Sequence, residues 1–125
     1  MCQRKLHPRS PRSGGRGECV PTIMETNTSA DDDRPLAGYR VLDLSRALAG
    51  PHCTGLLADL GASVTKIEDP RGGDETRGWG PPFHGAESAY FLAVNRSRQS
   101  VAVDLKDAEC LELVQGMAAA ADVIV

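Results

Sequence analysis

The amino-acid sequence predicts an α/β fold with an open, mostly parallel sheet flanked by helices. Two alternations of strand-like and helix-like segments support this prediction, one over residues 39–68 and the other over residues 89–125. The strand-like segments are short apolar runs bounded by Gly, Pro or polar residues, as buried parallel strands are. Hydrophobic residues make up 41% of the 125-residue chain and charged residues 25%, which is ordinary for a globular protein.

The first strand and helix are predicted from residues 39–61. YRVLDL at residues 39–44 is an apolar run typical of a buried strand. Pro51 favours the first turn of a helix, where its missing N–H would have no partner in any case. Gly61 is expected to end this helix in the left-handed conformation. The predicted buried side of the helix consists of its leucines, Leu56, Leu57 and Leu60.

The second strand completes a parallel crossover unit. SVTKIE at residues 63–68 alternates apolar and polar residues, and strand-helix-strand units of this kind are right-handed in nearly all proteins. Residues 69–88 then form a long connection that is rich in Gly and Pro. Because Trp79 and Phe83 lie within it, we expect this connection to pack against the rest of the fold.

The remaining elements are predicted from residues 89–125. Residues 89–95 favour a short helix, and SVAVDL at residues 100–105 alternates as a third strand. Asp107 is expected to cap the last helix, and DVIV at residues 122–125 predicts a fourth strand. The predicted buried stripe of the last helix is Leu111, Val114 and Met117.

The domain organisation is predicted from composition. Residues 1–34 contain few apolar residues and are expected to be a disordered extension, whereas residues 35–125 form the folded part. Met24 offers a second plausible start of translation, so either Met1 or Met24 could be the first residue of the protein. Because the chain ends on an apolar strand, we expect residues 35–125 to be the amino-terminal part of a larger, here truncated, domain.

Charge and cysteine usage exclude several classes of protein. The net charge is −3, and the sequence lacks the basic patch that would predict nucleic-acid binding. No apolar run reaches the roughly 18–20 residues of a membrane span, so we expect a soluble protein. The four cysteines form no CxxC pair and do not lie at metal-ligand spacing from the histidines, which predicts reduced thiols, no metal site and a cytoplasmic location. Residues 1–17 are basic like a mitochondrial transit peptide, but their Pro and Gly residues oppose the amphipathic helix of such peptides.

The carboxyl ends of the predicted strands indicate where a ligand binds. In an open parallel sheet, ligands lie beyond those ends, so SRALAG, DPRGGD and DLKD are expected to line one crevice. SRALAG lacks the GxGxxG pattern of a dinucleotide site but carries Arg46, and it leads into the amino end of a helix. From the residues alone we predict an anionic, nucleotide-like ligand.

A longer string of motifs resembles a known family. The order LDLSRALAGP, GASVTKIE, GDETRGWGPP and NRSRQSVAVDLK, within residues 35–125, is similar to the amino-terminal part of class III (CaiB/BaiF-type) coenzyme A transferases. The resemblance implies an interlocked homodimer with a Rossmann-like sheet. It also implies transfer of coenzyme A from an acyl-CoA to a small carboxylic acid through an aspartyl-CoA intermediate, without a metal.

The resemblance also implies which residues contact coenzyme A. They are Arg46, Leu48, Ala49, Arg71, Val103, Asp104, Leu105 and Lys106. Asp69 stands where some members have a phosphate-binding arginine, so either Arg71 supplies that charge or the contact is absent. A structural role for Arg77 and Trp79 is at least as plausible as contact with the acyl group.

No aspartate of this chain matches the nucleophile, so we assign no catalytic residue and expect the chain alone to be inactive. A 2-methylacyl-CoA racemase and a non-catalytic CoA- or nucleotide-binding module remain alternatives.

Overall fold

A computed structural model describes residues 32–125, so the extension predicted for residues 1–34 lies outside the described residues except for its last three. In chain order, the elements are β1 (Arg40–Asp43), α1 (Ala49–Asp59), β2 (Ser63–Glu68), a 3-10 helix (Glu75–Gly78), β3 (Phe83–His84), β4 (Glu87–Ser88), α2 (Ala89–Val94), β5 (Gln99–Ala102), α3 (Ala108–Ala120) and β6 (Val123–Ile124). Among residues 32–125, no helix is both long and apolar enough to cross a bilayer.

The main sheet has four strands in the order β5-β2-β1-β6, and all of its neighbouring strands are parallel. This arrangement confirms the predicted α/β fold with a mostly parallel sheet. The carboxyl ends of β1, β2 and β5 lie side by side at one edge, because the three strands are adjacent and run in the same direction. The loops that follow these strands are therefore brought together.

Helix α3 covers one face of the sheet. Leu42, Ile67 and Val103 pack there against Cys110 and Val114 of the helix. Asp107 caps α3 as predicted, since its Oδ1 accepts hydrogen bonds from two backbone N–H groups of the first turn at 3.0 Å. The predicted stripe is wrong at Leu111, which is 40% exposed, because the helix turns Cys110 toward the sheet instead.

Helix α1 covers the other face and ends as predicted. Gly61 has a φ of 111°, and its N–H donates to the carbonyl oxygen of Ala58. The N–H of Ala62 donates to the carbonyl oxygen of Leu57 at 3.0 Å, which completes a Schellman motif. Gly61 therefore occupies the position after the helix where the left-handed conformation is required.

The predicted buried side of α1 is wrong for two of its three leucines. Leu56 and Leu60 are 47% and 46% exposed, whereas Leu57 packs partly against the core. The helix approaches the sheet through small residues, which allow its backbone to lie close to the strands. Its buried residues are Pro51, Thr54, Gly55 and Ala58.

The long connection after β2 is more ordered than the sequence indicates. It contains the 3-10 helix and the antiparallel pair of β3 and β4, neither of which was predicted. Of the two aromatic residues expected to pack, Trp79 is 48% exposed, but its ring lies 5.3 Å from that of Tyr90 on α2, whereas Phe83 is 53% exposed. The third predicted strand ends earlier than expected, at Ala102, so residues 103–106 belong to the turn that follows β5.

Candidate functional site

A shallow pocket of about 150 Å³ lies at the carboxyl ends of β1, β2 and β5. The three loops expected to line a crevice each contribute to its wall. The lining residues are Leu44, Arg46, Ile67, Glu68, Asp69, Arg71, Val103, Asp104, Leu105 and Lys106. The pocket thus combines apolar side chains with charges of both signs.

Among residues 32–125, two cations of the pocket lack an oppositely charged partner within hydrogen-bonding distance. In the part of the chain that the structure describes, the side chains of Arg46 and Lys106 form neither a hydrogen bond nor an ion pair. They come from different loops, one after β1 and one after β5. An anion that enters the pocket can therefore be bound from two sides without breaking an existing pair.

Arg71 differs from these two cations because Asp69 binds it. The Nε of Arg71 donates to Asp69 Oδ1 at 3.0 Å, and Nη2 donates to Oδ2 at 2.8 Å. Hydrogen bonds from the Arg71 side chain and backbone hold the pKa of Asp69 well below its usual range. The charge of Arg71 is thus largely neutralised within the loop.

Six of the eight residues that the resemblance implies as CoA contacts line this pocket, namely Arg46, Arg71, Val103, Asp104, Leu105 and Lys106. The structure does not bring Leu48 and Ala49 to it. Leu48 is 53% exposed and Ala49 begins α1, because the chain turns at Ala47, which has a φ of 64°. Among residues 32–125, no side-chain cap hydrogen bond is made at the amino end of α1.

Beneath the pocket, the end of the sheet carries buried charges that sequence reasoning missed. Lys66 is buried, and its Nζ donates to the carbonyl oxygen of Ser45 at 2.7 Å and lies 3.0 Å from Asp74 Oδ2. Lys66 and Glu68 lie on the same face of β2 as Val64 because side chains alternate along a strand. That alternation was the available signal, but it did not reveal which residues neutralise the charges.

Glu68 joins the sheet to the long connection. Its two oxygens accept hydrogen bonds from Arg77 at 2.7 and 2.8 Å, and Ser100 donates to Oε1 at 2.6 Å. Arg77 also donates to Glu87 at 2.7 Å and stacks over the ring of Phe91 at 3.8 Å. These contacts support the structural role that the sequence left open for Arg77, since every one of them lies within the fold.

The loop between α2 and β5 has a similar anchor. Arg98 is buried and its Nη1 donates to Asp43 Oδ2 at 2.7 Å, whereas Arg96 pairs with Asp59 at the surface. Both arginines therefore bind acids of the fold rather than facing the pocket. Within residues 32–125, no three His, Cys, Asp or Glu side chains come together as a group that could hold a metal ion.

Comparisons with known proteins identify relatives of this chain. The sequence model of CoA-transferase family III matches residues 36–125. Succinyl-CoA:glutarate CoA-transferase from Homo sapiens is 47% identical over 116 residues, which cover 93% of this chain and 26% of the relative. Succinate–glutarate CoA-transferase from Agrobacterium fabrum is 46% identical over 97 residues, covering 73% of this chain and 24% of the relative.

Solved structures show the same similarity. A CAIB/BAIF family protein from Brucella suis superposes with a TM-score of 0.69 at 46% identity, covering 73% of this chain and 25% of that protein. A protein from Mycobacterium tuberculosis superposes with a TM-score of 0.65 at 42% identity, covering 73% of this chain and 24% of that protein. The chain thus spans about a quarter of the length of the relatives that it matches.

Proposed function

The chain belongs to CoA-transferase family III, and from that membership we propose that residues 35–125 bind the coenzyme A part of an acyl-CoA. The observation that carries the proposal is the pocket at the carboxyl edge of the sheet, where the side chains of Arg46 and Lys106 form no hydrogen bond or ion pair among residues 32–125. Coenzyme A carries phosphate groups and a flat adenine ring. Such a ligand suits two available cations beside the apolar side chains of Val103 and Leu105.

The proposed reaction is the transfer of coenzyme A from an acyl-CoA to a carboxylic acid through an aspartyl-CoA intermediate. An aspartate carboxylate attacks the donor thioester, which gives a mixed anhydride and the CoA thiolate. The thiolate then attacks the aspartyl carbonyl, which releases the donor acid and leaves an enzyme-bound thioester. The acceptor carboxylate attacks this thioester and forms a second anhydride, and the released thiolate collects the acceptor acyl group.

None of these covalent steps is assigned to a residue of this chain. We propose that the attacking aspartate belongs to the region of the longer relatives that this chain does not match. Because those two relatives are a succinyl-CoA:glutarate and a succinate–glutarate CoA-transferase, succinyl-CoA and glutarate are the first donor and acceptor to test. The homodimer and the cytoplasmic location remain predictions.

The binding part of the proposal is tested by calorimetric titration of the 125-residue chain with coenzyme A. Arg46→Met and Lys106→Met are each expected to weaken binding about tenfold, because each removes a charge-assisted contact. Both variants should also reduce the dependence of affinity on salt. Arg40→Met is the matched control, since Arg40 begins β1 at the opposite end of the sheet. Absence of binding would contradict the proposal, and so would an affinity for coenzyme A that neither Arg46→Met nor Lys106→Met changes.

The catalytic part is tested by incubating the same chain with succinyl-CoA and glutarate. No glutaryl-CoA is expected, because no residue here is proposed as the nucleophile. Formation of glutaryl-CoA would place a functional nucleophile within these 125 residues and would overturn that assignment.

A further inference from the structure

The buried guanidinium of Arg98 connects three segments that are distant in sequence. Its side chain is only 2% exposed. Nη1 donates to Asp43 Oδ2 and to Thr54 Oγ1, both at 2.7 Å, and Nη2 donates to the carbonyl oxygens of Pro51 and of Val94. One planar group therefore joins the end of β1, the amino-terminal half of α1 and the end of α2.

The Asp43 carboxylate extends this connection to both ends of the turn between β1 and α1. Its Oδ1 accepts a hydrogen bond from the backbone N–H of Ser45 at 2.9 Å and another from the Ser45 hydroxyl. Its Oδ2 accepts from Thr54 Oγ1 at 2.7 Å as well as from Arg98. The same carboxylate thus binds the residue where the turn starts and the helix into which it leads.

Arg46 lies within this turn, directly after Ser45, and its side chain lines the pocket. Since that side chain forms no hydrogen bond or ion pair among residues 32–125, the backbone of the turn is what sets its location. We propose that Arg98 is a positioning residue. Through Asp43 and Thr54, it holds Arg46 where Arg46 meets the anionic ligand. This inference deepens the proposed function and rests on it. Arg98 itself does not line the pocket and is not proposed to touch the ligand.

A purely structural role for Arg98 makes a different prediction. In that case its substitution would lower stability, and every cation of the pocket would keep its separate effect on binding. A positioning role instead couples Arg98 to Arg46 and leaves Lys106, which is on the loop after β5, unaffected. The distinguishing result is therefore that substitution of Arg98 is non-additive with substitution of Arg46 but additive with substitution of Lys106.

The test is a set of double-mutant cycles measured by titration of the 125-residue chain with coenzyme A. Arg98→Lys keeps the buried charge but loses the planar guanidinium group that donates through both Nη1 and Nη2. Thr54→Val removes one hydroxyl with little change in volume. Each is expected to weaken binding about fivefold. Arg46→Met should weaken binding by only about a further twofold in either background, whereas Lys106→Met should weaken binding about tenfold in every background. Thermal unfolding of each variant confirms that it is folded at the temperature of titration, and Thr54→Val serves if Arg98→Lys does not fold.

The possible outcomes separate the two proposals. Coupling to Arg46 without coupling to Lys106 supports the positioning role. Full and additive effects of Arg46→Met and Lys106→Met in both backgrounds overturn the positioning role but leave the proposed binding site intact. If coenzyme A does not bind, or if neither single substitution affects it, the proposed function fails and the positioning role fails with it.

Discussion

Gly50 is the residue on which the shape of the turn between β1 and α1 depends most directly. A Cβ at this position would lie 2.2 Å from the Cβ of Ser45, far inside contact distance. We therefore expect Gly50→Ala to lower the free energy of unfolding by about 1–3 kcal/mol, the usual cost of overpacking. Urea unfolding followed by circular dichroism measures this difference.

Gly116 provides the matched control for that substitution. It lies in the interior of α3, and a Cβ built there would meet no atom within 4 Å. Gly116→Ala is therefore expected to raise the free energy of unfolding by about 0.5–1 kcal/mol, because Ala is the better helix former. Equal effects of the two substitutions would show that the close approach of Ser45 to Gly50 is not a constraint.

Asp69 is the residue that decides whether Arg71 is available to a ligand. Asp69→Asn removes one negative charge from the pocket and weakens its hold on the Arg71 guanidinium. We expect this variant to bind coenzyme A about fivefold more tightly, which corresponds to about 1 kcal/mol for a unit charge in a solvent-exposed site. Glu112→Gln on the exposed side of α3 is the control in the same titration, and weaker binding by Asp69→Asn would mean that its carboxylate contacts the ligand.

At the scale of elements, whether a residue belongs to the core depends on the direction in which its helix or strand orients it, rather than on residue type alone. Leu42 of β1 is 2% exposed, whereas Leu56 of α1 is 47% exposed. Leu42→Ala is expected to lower the free energy of unfolding by about 2–5 kcal/mol. Leu56→Ala should change it by less than about 0.5 kcal/mol. Similar shifts of the two urea midpoints would contradict the orientation of α1.

Elements with strong local signals could be predicted from the sequence. Asp107 marks the start of α3 and Gly61 the end of α1, because capping depends on a few neighbouring residues. The buried side of α1 could not be predicted, since its leucines and its small residues form two alternative faces and only the sheet selects between them. The strands β3 and β4 have two residues each, too few for an alternating pattern.

Some features of the candidate site could likewise be predicted from the sequence and others could not. The meeting of three loops at one edge could be predicted, because adjacent parallel strands end together. The buried pair of Asp43 and Arg98 could not, since 55 residues separate its members and no local pattern marks an inward-facing charge. Likewise, the sequence shows Asp69 two residues before Arg71, but only the geometry shows that the two groups bind each other.

Over the whole molecule, one face of the sheet is divided into an apolar part and a charged part. Val41 and Val64 pack under α1, whereas Asp43, Lys66 and Glu68 lie toward the carboxyl ends of the strands on the same face. The segments that cover this charged part supply the opposite charges, which come from Asp74, Arg77 and Arg98. The connection after β2 is therefore bound to the sheet by ion pairs more than by apolar contact.

These ion pairs give the stability of the molecule a defined dependence on pH. Burial by itself raises the pKa of Glu68, but hydrogen bonds from Arg77, Ser100 and the N–H of Asp74 outweigh it and bring the pKa below its ordinary value of 4.5. The unfolded chain thus binds this proton more readily than the folded chain. The stabilisation is fully present above about pH 4.5 and is lost as the pH falls through the lower pKa of the folded state.

Glu68→Gln tests this dependence, because the amide keeps the shape of the side chain and cannot titrate. We expect the variant to be less stable than the unmodified chain at pH 7, since Arg77 loses a charged acceptor in a buried position. The difference in the free energy of unfolding should shrink as the pH falls from about 4.5 through the lower pKa of the folded state, where Glu68 of the unmodified chain takes up its proton. Glu112→Gln, which removes an exposed carboxylate, should follow the unmodified chain throughout. A difference for Glu68→Gln that stays constant across this range would show that the charge of Glu68 does not stabilise the contact between the sheet and the connection after β2.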